Sequence, residues 1–302
     1  MIISLVLLGL QLIQLVLSFL PLLLEAWLEF VKNDIVYWIG PAWDENVPIV
    51  VNPSKPSEIN RFSCSLCRLS KPLCSCVIVS RTFVLSPCDK CLRSKNKVYI
   101  PEDFEVQYGF FDRNYVGNTM EIVSHSVKRL LRHPECYNMH NEYSAEYDIA
   151  VIQIEGNVEL SPTYFAKLPK NHKFTFDTTK YAYLSNFRIF NLLAVERHES
   201  VWMVLTKVID GTFCLRMLRL YKIKNICAAY HHVAAASKEC QTDIGASLSV
   251  KPDINEEVLI GLLINKRLCG RARSVAGFVN IRLHVKWIRQ LVQRYSNGRE
   301  LV

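Results

Sequence analysis

The chain has 302 residues, of which 50% are hydrophobic and 21% are charged, a balance typical of a well-cored globular protein and not of a disordered chain. Its formal net charge of +8 favours anionic partners such as acidic proteins, sulfated glycans or lipid headgroups. The length predicts one large domain or two smaller ones.

The N-terminus is apolar from Ile2 to Leu24 and has no positively charged start. We predict a hydrophobic helix here, with residues 1–26 as a signal peptide cleaved near Ala26 or as an uncleaved signal anchor. Its polar interruptions and the acidic residues that follow favour the cleaved signal. Either outcome sends the chain into the secretory pathway. We therefore expect an extracellular protein, membrane-anchored only if the segment is not cleaved, and we exclude nucleic acid as a partner.

Residues 27–48 form a short connector, and the pattern from residue 49 onward is that of a β protein. Short β-branched and aromatic runs separated by turn residues predict strands. They are Val77–Val79, Thr82–Leu85, Val106–Phe111, Ile149–Ile154, Tyr181–Leu184, Val201–Leu205 and Val258–Ile264. Only Val285, Ile288 and Val292 have helical spacing, which predicts a terminal helix over about 285–293. The predicted class is all-β, with paired antiparallel barrels over about 49–165 and 166–285.

Eleven cysteines fit an oxidising compartment, and their odd number leaves at least one unpaired. The spacings Cys64-x-x-Cys67 and Cys88-x-x-Cys91 are also those of a zinc knuckle. For a secretory chain we favour disulfides, and we expect no metal and no cofactor. A zinc-stabilised extracellular binding module is the alternative.

The segment Cys240–Leu248 has the sequence Cys-Gln-Thr-Asp-Ile-Gly-Ala-Ser-Leu. It resembles the Cys-x-Gly-Asp-Ser-Gly-Gly-Pro-Leu signature of the trypsin/chymotrypsin-like serine proteases, with matches at Cys240, Asp243, Gly245 and Leu248. Ile244 stands where the family keeps its reactive serine. An isoleucine side chain has no oxygen that could attack a carbonyl, so covalent acyl transfer by the family route is excluded.

Other segments of the chain also resemble this family, and they occur in the family's order. Phe83–Cys91 is similar to the strand and turn that carry the family's histidine. His133-Pro134 and Tyr147–Ile152 are similar to the segment that carries its aspartate. Later matches are Ile226–Tyr230, Gly261, Gly277–Ile281 and Val285–Ile288. The resemblance implies a trypsin-like domain over 49–295 with two antiparallel six-stranded β-barrels.

Of the three catalytic positions that the resemblance implies, only Asp148 keeps the family residue. The histidine position falls on Asp89, or on Lys90 in an alternative alignment, and the serine position falls on Ile244. Family catalysis requires a serine oxygen and a histidine that accepts its proton. The positions of the oxyanion hole match Thr242 and Ile244, and threonine in place of glycine is expected to rearrange that loop.

The specificity pocket and the activation switch also depart from the family. Lys238 matches the pocket base and Lys266 matches a wall glycine, so both would obstruct an entering side chain. Asp243 matches the aspartate that pairs with a new N-terminus after cleavage. Ile49 could supply that terminus, but Pro48 precedes it where the family has arginine or lysine, so trypsin-type processing is expected to fail.

The resemblance also implies disulfides. In the second barrel they are Cys240–Cys269 and Cys214–Cys227. In the first barrel one bridge runs from Cys74 (or Cys76) to the turn that carries Cys88 and Cys91, which we assign as Cys74–Cys91. Cys136 has no family counterpart, so we expect it to be the odd thiol or an intermolecular bridge.

A basic cluster flanks the expected disulfide at the pocket mouth and consists of Lys266, Arg267, Arg271 and Arg273. A solvated loop is the ordinary interpretation of such a cluster. On the family template it would instead lie near a second basic loop that contains Lys90, and the two would form an anion-binding surface.

These features favour a secreted, catalytically inactive serine protease homologue that binds a protein partner (a protease, substrate or inhibitor) and regulates proteolysis. An active serine-type endopeptidase is the alternative at the level of the family. It would require a nucleophile and a base from outside the usual positions.

Overall fold

The computed structural model describes residues 50–51, 62–94, 97–111, 120–137, 142–159, 165–178, 181–188, 200–218, 222–230, 243–253, 256–267 and 275–296. All of them belong to one compact unit that spans residues 45–302. The predicted N-terminal helix, its signal or anchor function and the connector lie outside the described residues. Among the helices that are described, none is long and apolar enough to cross a membrane.

The first barrel is a closed ring of six antiparallel strands. In chain order, the elements up to residue 154 are β1 (Val50–Val51), β2 (Ser63–Arg68), β3 (Lys71–Ile78), β4 (Phe83–Ser86), α1 (Asp89–Leu92), β5 (Arg93–Ser94), β6 (Lys97–Val98), β7 (Phe104–Phe111), β8 (Met120–Arg132) and β9 (Ala150–Ile154). The ring has the spatial order β2-β3-β4-β9-β8-β7. β5 and β6 form a separate small ladder.

The second barrel closes through another six antiparallel strands. Its elements are β10 (Tyr181–Arg188), β11 (Ser200–Ile209), α2 (Gly211–Met217), β12 (Ile226–Tyr230), β13 (Ser247–Asp253), β14 (Glu256–Arg267) and β15 (Val275–Asn280), followed by α3 (Ile281–Tyr295). The strand order is β11-β10-β13-β14-β15-β12, and pairing of β12 with β11 closes the ring. The predicted all-β class with two six-stranded barrels and a terminal helix is therefore confirmed.

Two boundaries differ from the prediction. β1 pairs with β11, so the chain near residue 50 belongs to the sheet of the second barrel and not to the first. The terminal helix begins at Ile281 and ends at Tyr295, because Ile281 and His284 extend its buried stripe by one turn. That stripe joins the core of the first barrel, where each fully buried aliphatic side chain contributes roughly 1.5–3 kcal/mol.

Candidate functional site

Asp148, just before β9, is hydrogen-bonded to the start of α1. It follows the 3-10 turn Ala145–Tyr147, and only 1% of it is exposed. Its Oδ1 accepts hydrogen bonds from the backbone N–H groups of Cys88 at 2.7 Å and Asp89 at 2.8 Å. The structure thus brings together Asp148 and Asp89, the two positions that match the family's aspartate and histidine.

A tyrosine hydroxyl donates a hydrogen bond to the other carboxylate oxygen of Asp148. Tyr143 donates to Asp148 Oδ2 at 2.6 Å. Burial raises the pKa of Asp148 to about 6, and the three donors limit that rise because they favour the charged form. Burial and the neighbouring Asp148 charge raise the pKa of Tyr143 far above its ordinary value, so its hydroxyl remains a donor. At neutral pH, Asp148 is therefore a buried carboxylate with three hydrogen-bond donors.

Asp89 accepts a hydrogen bond from the hydroxyl of Tyr137. The guanidinium of Arg93 lies over the Tyr137 ring, 4.0 Å from its centre. A serine protease needs at this position an imidazole that accepts a proton and returns it. Asp89 supplies a carboxylate at this position in place of an imidazole, and Tyr137 is already bonded to it. Asp89, Asp148, Tyr137 and Tyr143 form what we call the acid network.

The turn at Ile244 and Gly245 lies against the first barrel. The carbonyl of Ile244 accepts from the backbone N–H of Ser75 at 2.8 Å, and its half-buried side chain packs on the cores of both barrels. Gly245 has a φ of +89°, and a Cβ added there would lie 1.9 Å from the Ser75 carbonyl oxygen and 3.2 Å from Pro87. Only glycine fits this close approach. The turn thus lies against β3 and Pro87, two residues before Asp89.

The serine hydroxyls that follow this turn are used within the second barrel. Ser247 Oγ donates to the carbonyl of Ser185 at 3.2 Å. Ser249 Oγ donates to Glu257, and both serines are buried. Their geometry is that of strand residues that satisfy barrel hydrogen bonds, and not that of an exposed nucleophile.

Of the predicted pocket, oxyanion and basic positions on either side of this turn, the structure describes only some. Lys266 is half-buried on β14 opposite Ala276, and Arg267 follows it opposite Val275. The remaining predicted positions lie outside the described residues: Lys238, Cys240, Thr242, Cys269, Arg271 and Arg273. The blocked pocket, the altered oxyanion hole, the Cys240–Cys269 bridge and the basic surface stay predictions.

Four disulfides occur in the described part of the chain: Cys64–Cys76, Cys74–Cys91, Cys88–Cys136 and Cys214–Cys227. The expectation that Cys136 is the odd thiol or an intermolecular bridge is wrong, because it is bonded to Cys88 of the same chain. The turn after His133 brings the two Cα atoms to 6.7 Å. Three of the four cysteines of the zinc alternative are in separate disulfides, which removes that ligand set. Such a density of disulfides is typical of extracellular proteins.

The free cysteine within the described ranges is Cys67. Its buried thiol donates to Ser65 Oγ at 3.6 Å, and burial raises its pKa to about 11. A buried thiol that is protonated at neutral pH is a poor nucleophile and a poor metal ligand. Cys67 is thus a small apolar core residue.

Two residues of the acid network were not identified from the sequence. Tyr137 and Tyr143 form a short antiparallel bridge that carries their hydroxyls to Asp89 and Asp148. Tyr137 lies 48 residues from its partner, so no local spacing pattern could have revealed it. A scan against models of known protein families finds none that matches this chain.

Proposed function

We propose that the protein is a secreted, catalytically inactive homologue of the trypsin/chymotrypsin-like serine proteases that acts as a protein-binding scaffold in the regulation of proteolysis. Two six-stranded barrels and the ordered set of family-like motifs support the homology. Four disulfides support secretion, because such bonds persist in oxidising compartments.

The observation that carries this proposal is the pair of hydrogen bonds from Cys88 and Asp89 to Asp148. An aspartate that orients the catalytic histidine should have that histidine beside it. Here the neighbouring residue is Asp89, whose carboxylate is occupied by Tyr137. The side chain of Ile244, at the serine position, has no oxygen that could act as the nucleophile. With no histidine and no serine at the two positions that match the family's base and nucleophile, we infer that the acid network is a structural joint between α1, β9 and the loop that carries Tyr137.

A peptide hydrolysis assay tests the loss of catalysis. The protein, with trypsin as positive control, is incubated with a mixed peptide library, and products are followed by mass spectrometry. We expect no cleavage by the wild type. We also expect none by Ile244→Ser, because the proton acceptor is still missing. Cleavage that is lost on Asp148→Asn would instead support the active endopeptidase.

The partner is expected to be a protease, a substrate or an inhibitor, and acidic proteins or sulfated glycans suit the net charge of +8. The basic cluster of Lys266, Arg267, Arg271 and Arg273 is the proposed contact for such anions. Elution from heparin should need less salt after these four residues are changed to serine. The matched control changes four exposed lysines: Lys128, Lys170, Lys173 and Lys286. An equal drop in the eluting salt concentration for both sets would mean that only net charge matters, and it would exclude a specific anion-binding surface.

A further inference from the structure

A cavity of about 360 Å³ lies at the beginning of α3. Its walls come from Thr175, Phe176 and Thr178, the end of β11, the loop before β12 and the first turn of α3. No residue of the acid network lines it. Its volume is at the lower end of the range in which proteins bind small ligands, which suits a group the size of one or two amino-acid residues.

The end of the cavity formed by the start of α3 favours an anion. The first N–H groups of the 15-residue helix α3 have no acceptors within the helix, and its N-cap residue, Asn280, makes no capping bond through its side chain. Arg282 lines the cavity and donates from Nη1 to the carbonyl of Phe174 at 3.0 Å, while its buried Nε has no hydrogen-bond partner in the described part of the chain. The other cation among the described lining residues is Lys224, whose Nζ is ion-paired with Glu146 at 3.1 Å. None of the described lining residues carries a carboxylate.

The same end also offers an acceptor. Asn280 is 5% exposed, and its Nδ2 donates to the carbonyl of Lys224 at 3.2 Å. Its Oδ1 is buried and has no donor among the described residues. A buried acceptor without a partner destabilises the protein, so an occupant that brings an N–H would be favoured.

Part of the cavity lining is apolar. Phe176, Val208 and Leu283 contribute to it. Two of its side chains are large hydrophobic groups with unusual exposure, since Ile223 is 61% exposed and Leu283 is 43% exposed. Covering them would remove apolar surface from water and favour binding.

We propose that this cavity binds the C-terminal residue of a partner peptide. Its free carboxylate would lie at the start of α3 beside Arg282, and its backbone N–H would donate to Asn280 Oδ1. An apolar side chain would pack against the wall that contains Val208 and Leu283. A fatty acid supplies the carboxylate and the apolar part but no N–H, and inorganic phosphate supplies no apolar part. The inference does not depend on the loss of catalysis.

Titration of the full-length protein with three probes, followed by ligand-observed NMR, tests the proposal. The probes are acetyl-Gly-Leu, its C-terminal amide and octanoate. We expect the acid to bind roughly tenfold more tightly than the amide, because a hydrogen bond to a charged group is lost in the amide. Octanoate should bind more weakly than the acid. Equal affinities of acid and amide, or no binding of the acid at millimolar concentration, would overturn the proposal. Tighter binding of octanoate would assign the cavity to fatty acids and overturn it as well.

Two variants locate the binding. Leu283→Glu places a negative charge at the third position of α3, where an acidic residue stabilises the helix but repels a carboxylate. Arg282→Gln removes the positive charge and keeps a donor. Each should weaken binding of acetyl-Gly-Leu roughly tenfold. Lys286→Gln, an exposed lysine on the same helix, is the matched control and should change nothing. Equal losses in all three variants, or none in the first two, would place the ligand elsewhere, and Leu283→Glu remains informative if Arg282→Gln does not fold.

Discussion

Asp148 has a buried carboxylate that accepts hydrogen bonds from two backbone N–H groups and the Tyr143 hydroxyl. Asp148→Ala leaves these donors without an acceptor, and each such loss costs about 1–3 kcal/mol. Relief of the buried charge offsets part of this cost. We therefore expect a loss of about 2–4 kcal/mol in the free energy of unfolding, measured by urea denaturation at pH 7. Glu155→Ala, at an exposed acid, is the control and should change stability by less than about 0.5 kcal/mol. A similar small change for Asp148→Ala would contradict the structural role.

His284 and Asp148 give stability opposite dependences on pH. Burial lowers the pKa of His284 from 6.5 to about 4. The unfolded chain therefore takes up this proton first, and stability falls as the pH is lowered from 6.5 to 4. Burial raises the pKa of Asp148 from 3.8 to about 6, so the folded chain takes up its proton first and stability rises as pH falls from 6 to 3.8. The two changes largely cancel in the wild type between pH 6 and 4.

Asp148→Asn should remove this compensation. As pH falls from 6.5 to 4.5 the variant should lose about 2 kcal/mol more stability than the wild type, because protonation of His284 in the unfolded chain is then unopposed. His284→Gln should change the slope in the opposite direction. Urea denaturation across this pH range measures both. Parallel curves for the wild type and Asp148→Asn would mean that Asp148 does not titrate here.

The turn that contains Ile244 is an element whose position depends on one glycine. Gly245→Ala would place a methyl group 1.9 Å from the Ser75 carbonyl oxygen at a positive φ. Gly156 provides a matched control, since it also has a positive φ but its added Cβ would meet His125 Nδ1 only at 3.4 Å. We expect about 1 kcal/mol of destabilisation for Gly156→Ala, from backbone strain alone. Gly245→Ala should cost at least about 2 kcal/mol more in thermal or urea unfolding. Equal costs would show that the turn does not contact β3.

The strands that are short and apolar could be predicted from sequence, and those with polar faces could not. Ile149–Ile154 reads as a strand because β9 is buried on both sides. β8 was missed because Ser124, His125 and Ser126 lie in its middle, although pairing with β7 and β9 holds them in the barrel. β2 does not read as a strand because its cysteines and serines lack the β-branched and aromatic side chains typical of strands, and pairing with β3 and β7 holds it in the barrel.

The candidate site was predicted only in part, for similar reasons. The adjacency of Asp89 and Asp148 follows from the resemblance and not from any local pattern. The bond from Cys88 to Cys136 has no family counterpart and joins residues 48 apart. The tyrosines of the acid network are ordinary aromatic residues until the fold brings them to a carboxylate. Contacts between distant segments are thus the part that sequence patterns leave undetermined.

At the scale of the whole molecule, disulfide mapping tests the connectivity. Peptides generated without reduction should show Cys64–Cys76, Cys74–Cys91, Cys88–Cys136 and Cys214–Cys227, and they also test the predicted Cys240–Cys269. Cys67 should react with an alkylating reagent only after unfolding, since it is buried with a pKa of about 11. A free or intermolecular Cys136, or a molar equivalent of bound zinc, would contradict this arrangement.

Labelling by a serine-directed fluorophosphonate tests the proposal that the family's nucleophile and base are lost at Ile244 and Asp89. The probe reacts only with a serine whose oxygen is activated by a neighbouring base. Intact mass spectrometry of the folded protein, beside trypsin as a positive control, should show no added mass. Stoichiometric labelling of one serine, lost when the protein is denatured before the probe is added, would contradict the account.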